Sequence, residues 1–459
     1  MRAESASSKV TRIVITGAGG MTFPLTLIAD LLTMPELQGA EVVLHDLSLE
    51  RAARTARAAQ AVADAHARPL QLVVTTDRRE ALRGATHLLL TFQVGGLAAY
   101  RSDTEIPRRY GVDCVAGDTL GPGGIMRFVR SAPAFEDLAR DVLELCPEAL
   151  VLNYTNPMAM NCLYLQHLGL RVVGLCHSVP TSARVIEELL GLDAGKLRYV
   201  AAGINHQAWF LTVEAAGKDL RDDLRDVLRA RFLPEYGGTT PWTEGDLAYQ
   251  GGQERVRAEL LETFGYFLSE SSHHASEYVP FFRRSPESVK AHLPRRWDYL
   301  RGSLNVAGQE DALVSATVAR LRARLECSGE FGMRVIAALV GGPAANVYVN
   351  VRNDGWIANL PGDACVEVSA LVNEAGVHPT VVGRLPGGCA GLNLTGIALQ
   401  TAAVEAVIRR DCAALIGAFA LDPLTASLVE LPAIRRLASE LLAAQATWLP
   451  SWLRTQARL

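Results

Sequence analysis

Short apolar runs alternate with helical patterns through the N-terminal part of the chain. The first run, residues 12–16, is rich in β-branched side chains and ends abruptly at a glycine-rich turn. Strands are predicted at residues 12–16, 41–46, 70–75, 86–91, 149–153 and 171–175, and helices at residues 23–32 and 49–66. Alternation of this kind predicts a parallel, doubly wound sheet, which is a Rossmann-like α/β fold.

The pattern changes character at about residue 205. A strand is predicted at residues 209–213, an amphipathic helix at 220–232, a glycine- and proline-punctuated loop at 234–252 and a helix at 311–326. Residues 347–351 alternate as a strand into a hairpin turn at 353–355, and residues 392–453 are rich in helix. We therefore expect a Rossmann-like domain over residues 1–204 and a mixed α+β domain over residues 205–459, packed around one cleft.

Composition and charge restrict the class of protein. The 459 residues carry a net charge of −4, and no lysine- or arginine-rich run supplies the basic surface that nucleic acid requires. No window approaches about 18 uninterrupted apolar residues, and residues 1–12 lack a signal-peptide core, so no membrane span is expected. The eight cysteines are scattered without Cys-x-x-Cys spacing, which indicates reduced thiols and a cytoplasmic location.

The glycine-rich turn after the first strand is a candidate dinucleotide site. Gly17, Gly19 and Gly20 allow the backbone to approach a pyrophosphate, whose charge is then met by the N-terminus of the next helix. Asp46 ends the second predicted strand, where a carboxylate can accept hydrogen bonds from ribose hydroxyls and repel a 2′-phosphate. The third glycine of the fingerprint is replaced by Thr22. The pattern as a whole favours NAD over NADP.

Cys176 and His206 are candidate ligands of one divalent metal. Cys176 lies in the segment 174–179 (GLCHSV), and His206 ends the segment 203–206 (GINH). A buried cysteine alone is usually a small apolar residue, and a lone histidine usually belongs to the core. Beside a nicotinamide, however, a thiolate and an imidazole that share a metal would form a redox centre.

A larger set of motifs carries a family resemblance. The matching segments are residues 79–85, 93–96, 105–111, 117–124, 153–160, 176–179, 203–206, 265–267, 270–272, 277–278, 359–361 and 421–426. On these motifs the chain resembles the NAD- and metal-dependent glycosidases of glycoside hydrolase family four, especially their α-galactosidase (melibiase-like) branch. The resemblance extends over nearly the whole sequence, from Ile13 to about Pro450.

The resemblance implies a mechanism different from the usual pair of carboxylates. In this family NAD takes a hydride from the sugar C3, a base removes the C2 proton, and the substituent at C1 leaves by elimination. Water then adds at C1 and the steps reverse, so NAD is recycled. The metal acts as a Lewis acid on the C2 and C3 oxygens.

Individual roles also follow from the resemblance. Cys176 and His206 match the metal ligands, and manganese is the usual metal of the family. His177 matches the position of the proposed general acid of the family, and an imidazole that titrates near neutrality suits proton transfer. The residues expected to bind NAD are Gly17, Gly19, Gly20, Met21, Asp46 and Gln93. The residues expected to bind substrate are Asn153, Asn156, Asn205, Arg127 and His274.

Several residues compete for the role of catalytic base. Tyr266 matches the tyrosine that family members often use, although a phenol with a pKa near 10 needs a nearby cation or metal. The polar segment 269–278 offers the alternatives Glu270, His273, His274 and Tyr278. Simpler interpretations are a sugar contact for His177, a turn at Asn156 before Pro157, and surface salt bridges for Arg127 and Arg130.

The substrate and the activity also have alternatives. Segment 176–179 favours α-galactosides, whereas Arg283 and Arg284 could bind an anionic sugar such as an α-galacturonide, an α-glucuronide or a sulfoquinovoside. A dehydrogenase of the lactate/malate type would share the N-terminal architecture, and an NAD-sensing module is disfavoured by the Cys–His pair. A small-molecule glycoside is the expected partner, and the family generally forms a homodimer or homotetramer.

Overall fold

Six parallel strands form the first half of the sheet in the computed structural model, which describes residues 11–238 and 253–454. These strands are β1 Arg12–Thr16, β2 Glu41–His45, β3 Gln71–Thr75, β4 His87–Leu90, β5 Leu150–Asn153 and β6 Val172–Gly174. Their order across the sheet, β3-β2-β1-β4-β5-β6, is that of doubly wound dinucleotide-binding domains. The predicted Rossmann-like fold is confirmed.

Helices connect these strands and cover both faces of the sheet. They are α1 Phe23–Thr33, α2 Leu49–Ala65, α3 Arg78–Leu82, α4 Gly96–Arg109, α5 Gly121–Leu145, α6 Met158–His167 and α7 Ser178–Leu190. Ile13 and Val14 are fully buried in the two cores on opposite faces. Helix α1 has neither a side-chain cap nor an acidic first turn, which leaves its N-terminal N–H groups available to an anion.

Further strands, mostly antiparallel, continue the same sheet. They are β7 Arg198–Ile204, β8 Gln207–Ala215, β9 Lys218–Asp219, β10 Phe267–Leu268, β11 Ala345–Arg352, β12 Cys365–Asn373 and β13 Gly376–Pro379. Beyond β6 the order is β11-β12-β7-β8-β10. The predicted boundary after residue 204 falls in the turn between the paired strands β7 and β8, so both predicted domains contribute to one sheet.

The rest of the described chain is mainly helical. Its helices are α8 Arg221–Phe232, α9 Arg255–Phe264, α10 Ser272–Ala275, α11 Pro286–His292, α12 Tyr299–Val306, α13 Glu310–Ala323, α14 Gly332–Leu339, α15 Gly387–Arg409, α16 Cys412–Ala420, α17 Pro423–Leu428, α18 Leu431–Ala444 and α19 Ser451–Arg454. Short 3₁₀ helices form at Pro35–Leu37 and Pro234–Tyr236. Most of the predicted loop 234–252, residues 239–252, lies outside the described residues.

Helix α15 is long and apolar enough to cross a membrane by length and composition, with a hydropathy of 1.3, the one such helix in the described ranges. Half of the apolar stretch of α15 that meets this criterion is buried inside the protein, and the helix packs against β7 and α6. Contacts of this kind are those of a core helix in a folded domain.

The predicted hairpin between β11 and β12 forms, but the loop that joins the two strands is longer than the predicted turn. The two strands pair along their length, and residues 353–364 connect them as a longer loop. The Asn353 side chain holds this loop, because its Nδ2 donates to the carbonyls of Ile357, Leu360 and Pro361, each at 3.0 Å. The predicted turn at 353–355 is present, because the N–H of Trp356 donates to the carbonyl of Asn353 at 2.6 Å and Asp354 and Gly355 both have a positive φ, but it forms only the first part of the loop that joins the strands.

A row of paired residues crosses the sheet where its parallel and antiparallel halves meet. Asn350 of β11 pairs with the last residue of β6 and with Glu367 of β12, and Glu367 pairs in turn with Gly203 of β7. Cys176 comes two residues after the end of β6, and His206 comes two residues after the end of β7. Both predicted metal ligands therefore leave the sheet beside this row.

Candidate active site

The glycine turn lies where the strand order reverses, between β1 and β4. Gly17 has a φ of +94°, and a Cβ at this position would lie 2.8 Å from the backbone nitrogen of Phe92. A Cβ on Gly19 would lie 2.7 Å from Oδ2 of Asp46. Both positions therefore require glycine, and the bare backbone can approach a bound pyrophosphate closely.

Asp46 is buried and fastens the glycine turn to the end of β2. Its Oδ2 accepts the N–H of Gly19 at 2.8 Å, and its Oδ1 accepts the N–H of Ser48 at 3.0 Å. Each carboxylate oxygen retains a lone pair that could accept a ribose hydroxyl. The other residues predicted to bind NAD lie in the loops that follow β1 and β4 and are Gly20, Met21 and Gln93.

His206 lies in a two-residue turn between β7 and β8 and has a left-handed backbone, with a φ of +62°. Its Nδ1 is 3.0 Å from Nε2 of His274 and 3.4 Å from Oγ1 of Thr119. Its Nε2 is 3.6 Å from Oε2 of Glu270, which also has a positive φ of +79°. Such strained conformations of residues other than glycine concentrate at functional sites.

Glu277 is a buried carboxylate held by four donors. It accepts the backbone N–H groups of Val115, Ala116 and Gly117, the last two at 3.0 and 3.1 Å, and Nδ1 of His274 lies 2.9 Å from its Oε2. Burial alone would raise the pKa of this carboxyl. The hydrogen bond with His274 and nearby positive charge outweigh burial and lower the pKa to about 2.

Cys176 is buried two residues after the end of β6, and His177 immediately precedes helix α7 with a side chain that is 55% exposed. Nδ1 of His177 lies 3.1 Å from Oε1 of Glu330. The hydrogen bond to this carboxylate raises the pKa of His177 above its ordinary value. The pair is thus suited to keep a proton on a solvent-facing imidazole.

Buried polar atoms beside this cluster have no hydrogen-bond partner among the described residues. Asn205 is fully buried with both its Nδ2 and its Oδ1 unsatisfied, and Oε2 of the buried Glu367 is also unsatisfied. Burial raises the pKa of Glu367 well above its usual range. Unpaired buried polar groups are costly, so their presence around Cys176 and His206 fits a polar group bound there.

The chemistry of these side chains fits a divalent metal. Within the ranges 11–238 and 253–454, no group of three or more His, Cys, Asp or Glu forms a complete metal site. Cys176 and His206 can supply two ligands and Asn205 an amide oxygen, which leaves open positions for the oxygens of a sugar. Because one of these donors is a thiolate, ligand softness alone would not select manganese, and manganese is expected as the usual metal of the family.

Asp118 forms a polar cluster next to the histidines. Its Oδ2 accepts Nδ2 of Asn156 at 3.2 Å and lies 3.7 Å from Nη1 of Arg127, while its Oδ1 accepts the hydroxyl of Thr119 at 2.9 Å. Nε2 of His274 is 3.9 Å from the same oxygen. Two residues predicted to bind substrate, Asn156 and Arg127, are therefore brought together by an acid.

Tyr266 lies apart from this cluster. Strand β10 pairs Phe267 with Phe210 and Leu268 with Trp209, so Tyr266 extends toward the far end of β8, where Arg221 is its electrostatic neighbour. Glu270 is four residues further on, which is about 13 Å of extended chain. The structure brings Glu270, and not Tyr266, next to His206.

Three other residues considered in the sequence analysis are engaged in structural contacts. The amide of Asn153 is used within its own turn, since its Oδ1 accepts both the N–H and the hydroxyl of Thr155. Nε2 of His273 lies 2.7 Å from the carbonyl oxygen of Arg295, and burial lowers the pKa of this imidazole to about 4. Arg130 is completely buried against Asp103, with a 2.7 Å ion pair, and donates to the carbonyl of Val94. The contacts of Arg130 exclude its alternative interpretation as part of a surface salt bridge, because its ion pair with Asp103 is buried.

Arg283 does not face a sugar pocket. Its guanidinium donates to the hydroxyl of Ser276 at 2.6 Å, to the carbonyl of Asp113 at 2.7 Å and to the carbonyl of His273 at 3.3 Å. It is buried, and these contacts occupy all three nitrogens. The suggestion that Arg283 binds an anionic group is therefore wrong, and Arg284, which is exposed, has no contact with the site among the described residues.

Four acids of the site are not identified by the sequence pattern. Asp118 and Glu277 lie within the motifs 117–124 and 277–278. The presence of an acid inside each of these motifs was a signal in the sequence that could have identified both as site residues. Glu330 and Glu367 lie in segments with no such signal. Only the fold brings them to His177 and to the row beside Cys176.

The fold and the site together indicate an enzyme of the dinucleotide-binding α/β class, with Cys176 and His206 as the predicted metal ligands. Two family models match the chain: family 4 glycosyl hydrolase over residues 12–192, and the C-terminal domain of the same family over residues 201–425. The chain therefore belongs to glycosyl hydrolase family 4. The predicted family is confirmed.

Individual relatives agree with this assignment. The chain is 34% identical to an α-galactosidase of Rhizobium meliloti (96% of this chain, 89% of the relative) and 32% identical to one of Bacillus subtilis (96% and 99%). It is 30% identical to an α-galacturonidase of Bacillus subtilis (90% and 93%). A 6-phospho-α-glucosidase structure from gut microorganisms, in complex with NAD and Mn²⁺, superposes with a TM-score of 0.78 at 21% identity (96% and 99%). NAD and Mn²⁺, which that structure contains, are the two cofactors predicted from the sequence of this chain.

Proposed function

We propose that this family 4 enzyme is an NAD- and manganese-dependent α-glycosidase whose preferred substrates are α-galactosides. The observation that carries the proposal is the juxtaposition of His206, Glu270 and unsatisfied Asn205 beside Cys176, at the edge of a dinucleotide fold. When bound, NAD supplies a hydride acceptor for the sugar C3, and manganese supplies a Lewis acid for the C2 and C3 oxygens.

Residues 1–204 would bind the dinucleotide, and residues 205–459 would supply most of the sugar site. Gly17 and Gly19 admit the pyrophosphate to the N-terminus of α1, and Asp46 faces the adenosine ribose. Gln93 follows β4, the neighbour of β1, where a nicotinamide would extend toward Cys176. A homodimer or homotetramer and a cytoplasmic location stay predictions.

His177 and Glu270 are proposed as the proton-transfer groups. His177 is held by Glu330 in a form that can donate a proton to the departing glycosidic oxygen. Glu270 has a buried carboxylate with Oε2 3.6 Å from Nε2 of His206, so a base at this position would act beside the residue that would hold the metal. Tyr278 is fully buried with its pKa raised well above 10, which disfavours it as a base.

The charges around the cluster favour a neutral sugar. Asp118 and Glu270 both line it, and a carboxylate or phosphate on the substrate would meet them as like charges. Nη1 of Arg127 lies 3.7 Å from Asp118, and Arg283 is buried with hydrogen bonds to three protein acceptors. An anionic sugar, as the α-galacturonidase relative uses, would have to compete with Asp118 for the charge of Arg127.

We expect kcat/KM for p-nitrophenyl α-galactoside to exceed that for the matching α-galacturonide by about tenfold or more, because of this like-charge repulsion. The measurement is phenol release with NAD and Mn²⁺ present. Asp118→Asn is expected to reduce the ratio of kcat/KM for the galactoside to kcat/KM for the galacturonide, because it removes one negative charge. A higher kcat/KM for the galacturonide would contradict the assignment to neutral sugars.

A further inference from the structure

Three side chains form a hydrogen-bonded line that ends at the candidate metal ligand. Glu277 Oε2 is 2.9 Å from Nδ1 of His274, and Nε2 of His274 is 3.0 Å from Nδ1 of His206. We propose that Glu277 and His274 are positioning residues that fix the tautomer and orientation of His206, so that its Nε2 lone pair faces the metal. This inference rests on the proposed function, in which His206 binds manganese.

The direction of the line is set at its buried end. Four donors meet the Glu277 carboxylate: the N–H groups of Val115 and Ala116 on Oε1, and the N–H of Gly117 with His274 Nδ1 on Oε2. A carboxylate only accepts hydrogen bonds, so Nδ1 of His274 carries the proton. All four acceptor positions of the carboxylate are then used.

The direction of the hydrogen bond between His274 and His206 follows from a similar argument. An imidazole that binds a metal through Nε2 carries its proton on Nδ1, so in the proposed site Nδ1 of His206 donates and Nε2 of His274 accepts. The nearest polar neighbours of Nε2 of His274 are Nδ1 of His206 at 3.0 Å and the hydroxyl of Thr119 at 3.4 Å. His206 is therefore protonated on Nδ1, which leaves the Nε2 lone pair for a metal.

Packing holds the rings in this arrangement. The rings of His206 and His274 are nearly perpendicular, at 72°, with centroids 4.9 Å apart, and Tyr278 packs edge-on against both. His274 is 3% exposed and Glu277 is 5% exposed, so water does not compete for these hydrogen bonds. His274, predicted to bind substrate or act as the base, is thus assigned to support of a metal ligand.

A carboxylate–histidine support of this kind typically changes metal affinity 10- to 100-fold. We expect His274→Phe, which keeps a ring but removes the acceptor, to raise the Mn²⁺ dissociation constant about 10- to 100-fold. His274→Gln, which retains an acceptor and a donor, should restore part of the affinity. Free Mn²⁺ would be measured by EPR during titration of the metal-free protein, and His167→Phe, an exposed histidine, serves as the control.

A double-mutant cycle distinguishes this role from general stabilisation of the fold. In a His206→Ala background, His274→Phe should change Mn²⁺ affinity by less than about twofold, because the ligand that it positions is gone. Equal losses in both backgrounds would overturn the proposal. So would ¹⁵N-histidine NMR of the unmutated metal-free protein that shows the His206 proton on Nε2, a readout that needs no variant to fold.

Failure of the inference and failure of the proposed function give different results. If the unmutated protein binds Mn²⁺ and cleaves an α-galactoside but His274→Phe has no effect, only the positioning role is lost. If the unmutated protein does not bind Mn²⁺, both the metal-dependent function and the inference built on it are wrong.

Discussion

Replacement of Cys176 by serine, or of His206 by alanine, is expected to lower kcat/KM for an α-galactoside about 1,000-fold or more, which is about 4 kcal/mol of transition-state stabilisation. Each change removes one of the two proposed metal ligands, and the described residues contain no group of three or more His, Cys, Asp or Glu that could replace it. Cys176 is buried, and serine differs from it by one atom, so the fold should persist. Activity would be followed by phenol release across a titration of Mn²⁺.

The control for these variants is Cys327→Ser, since Cys327 is also a free thiol but is exposed. It should retain the activity of the unmutated enzyme. Thermal unfolding of all three variants shows whether each remains folded. Full activity in folded Cys176→Ser or His206→Ala would refute the metal assignment.

The second large effect concerns the hydrogen on sugar C2. Elimination requires this C–H bond to break, so a substrate deuterated at C2 should lose its label to solvent during turnover. If Glu270 is the base, Glu270→Gln should slow label loss about 100-fold or more, because a positioned base contributes on that scale. Tyr266→Phe should leave the rate within about twofold, since Tyr266 lies beside Arg221.

The label would be read by mass spectrometry of the released galactose. Slow exchange in Tyr266→Phe together with normal exchange in Glu270→Gln would return the role of base to Tyr266. Complete retention of the label by the unmutated enzyme would exclude the redox–elimination route for every candidate base.

Local sequence was sufficient where a pattern maps directly onto backbone geometry. The strand at residues 12–16 and the glycine turn after it follow from β-branched residues and from positions that tolerate no Cβ. The same holds for Asp46 at the end of β2, which the sequence placed beside the turn and the structure shows bound to Gly19. Motif matches then added Cys176 and His206.

Pairing between strands that are distant in the sequence places several site residues that the local sequence pattern could not place. The choice between Tyr266 and Glu270 depends on the register of β10 against β8, which no residue near position 270 encodes by itself. Glu367 reaches the site only because β12 pairs with both β11 and β7. Arg283 resembled an anion-binding residue in the sequence, and its burial against Ser276 and two backbone carbonyls is visible only in three dimensions.

The most direct test of the central claim, a glycosidase that recycles NAD, is one reaction followed at two wavelengths. The metal-loaded protein, freed of NAD, is incubated with excess p-nitrophenyl α-galactoside, and NAD is then added at far below the substrate concentration. We predict that phenol release begins only after NAD is added, exceeds the added NAD many-fold, and leaves no accumulating NADH absorbance. NADH formed in step with substrate consumption, without phenol release, would contradict the account and identify a dehydrogenase.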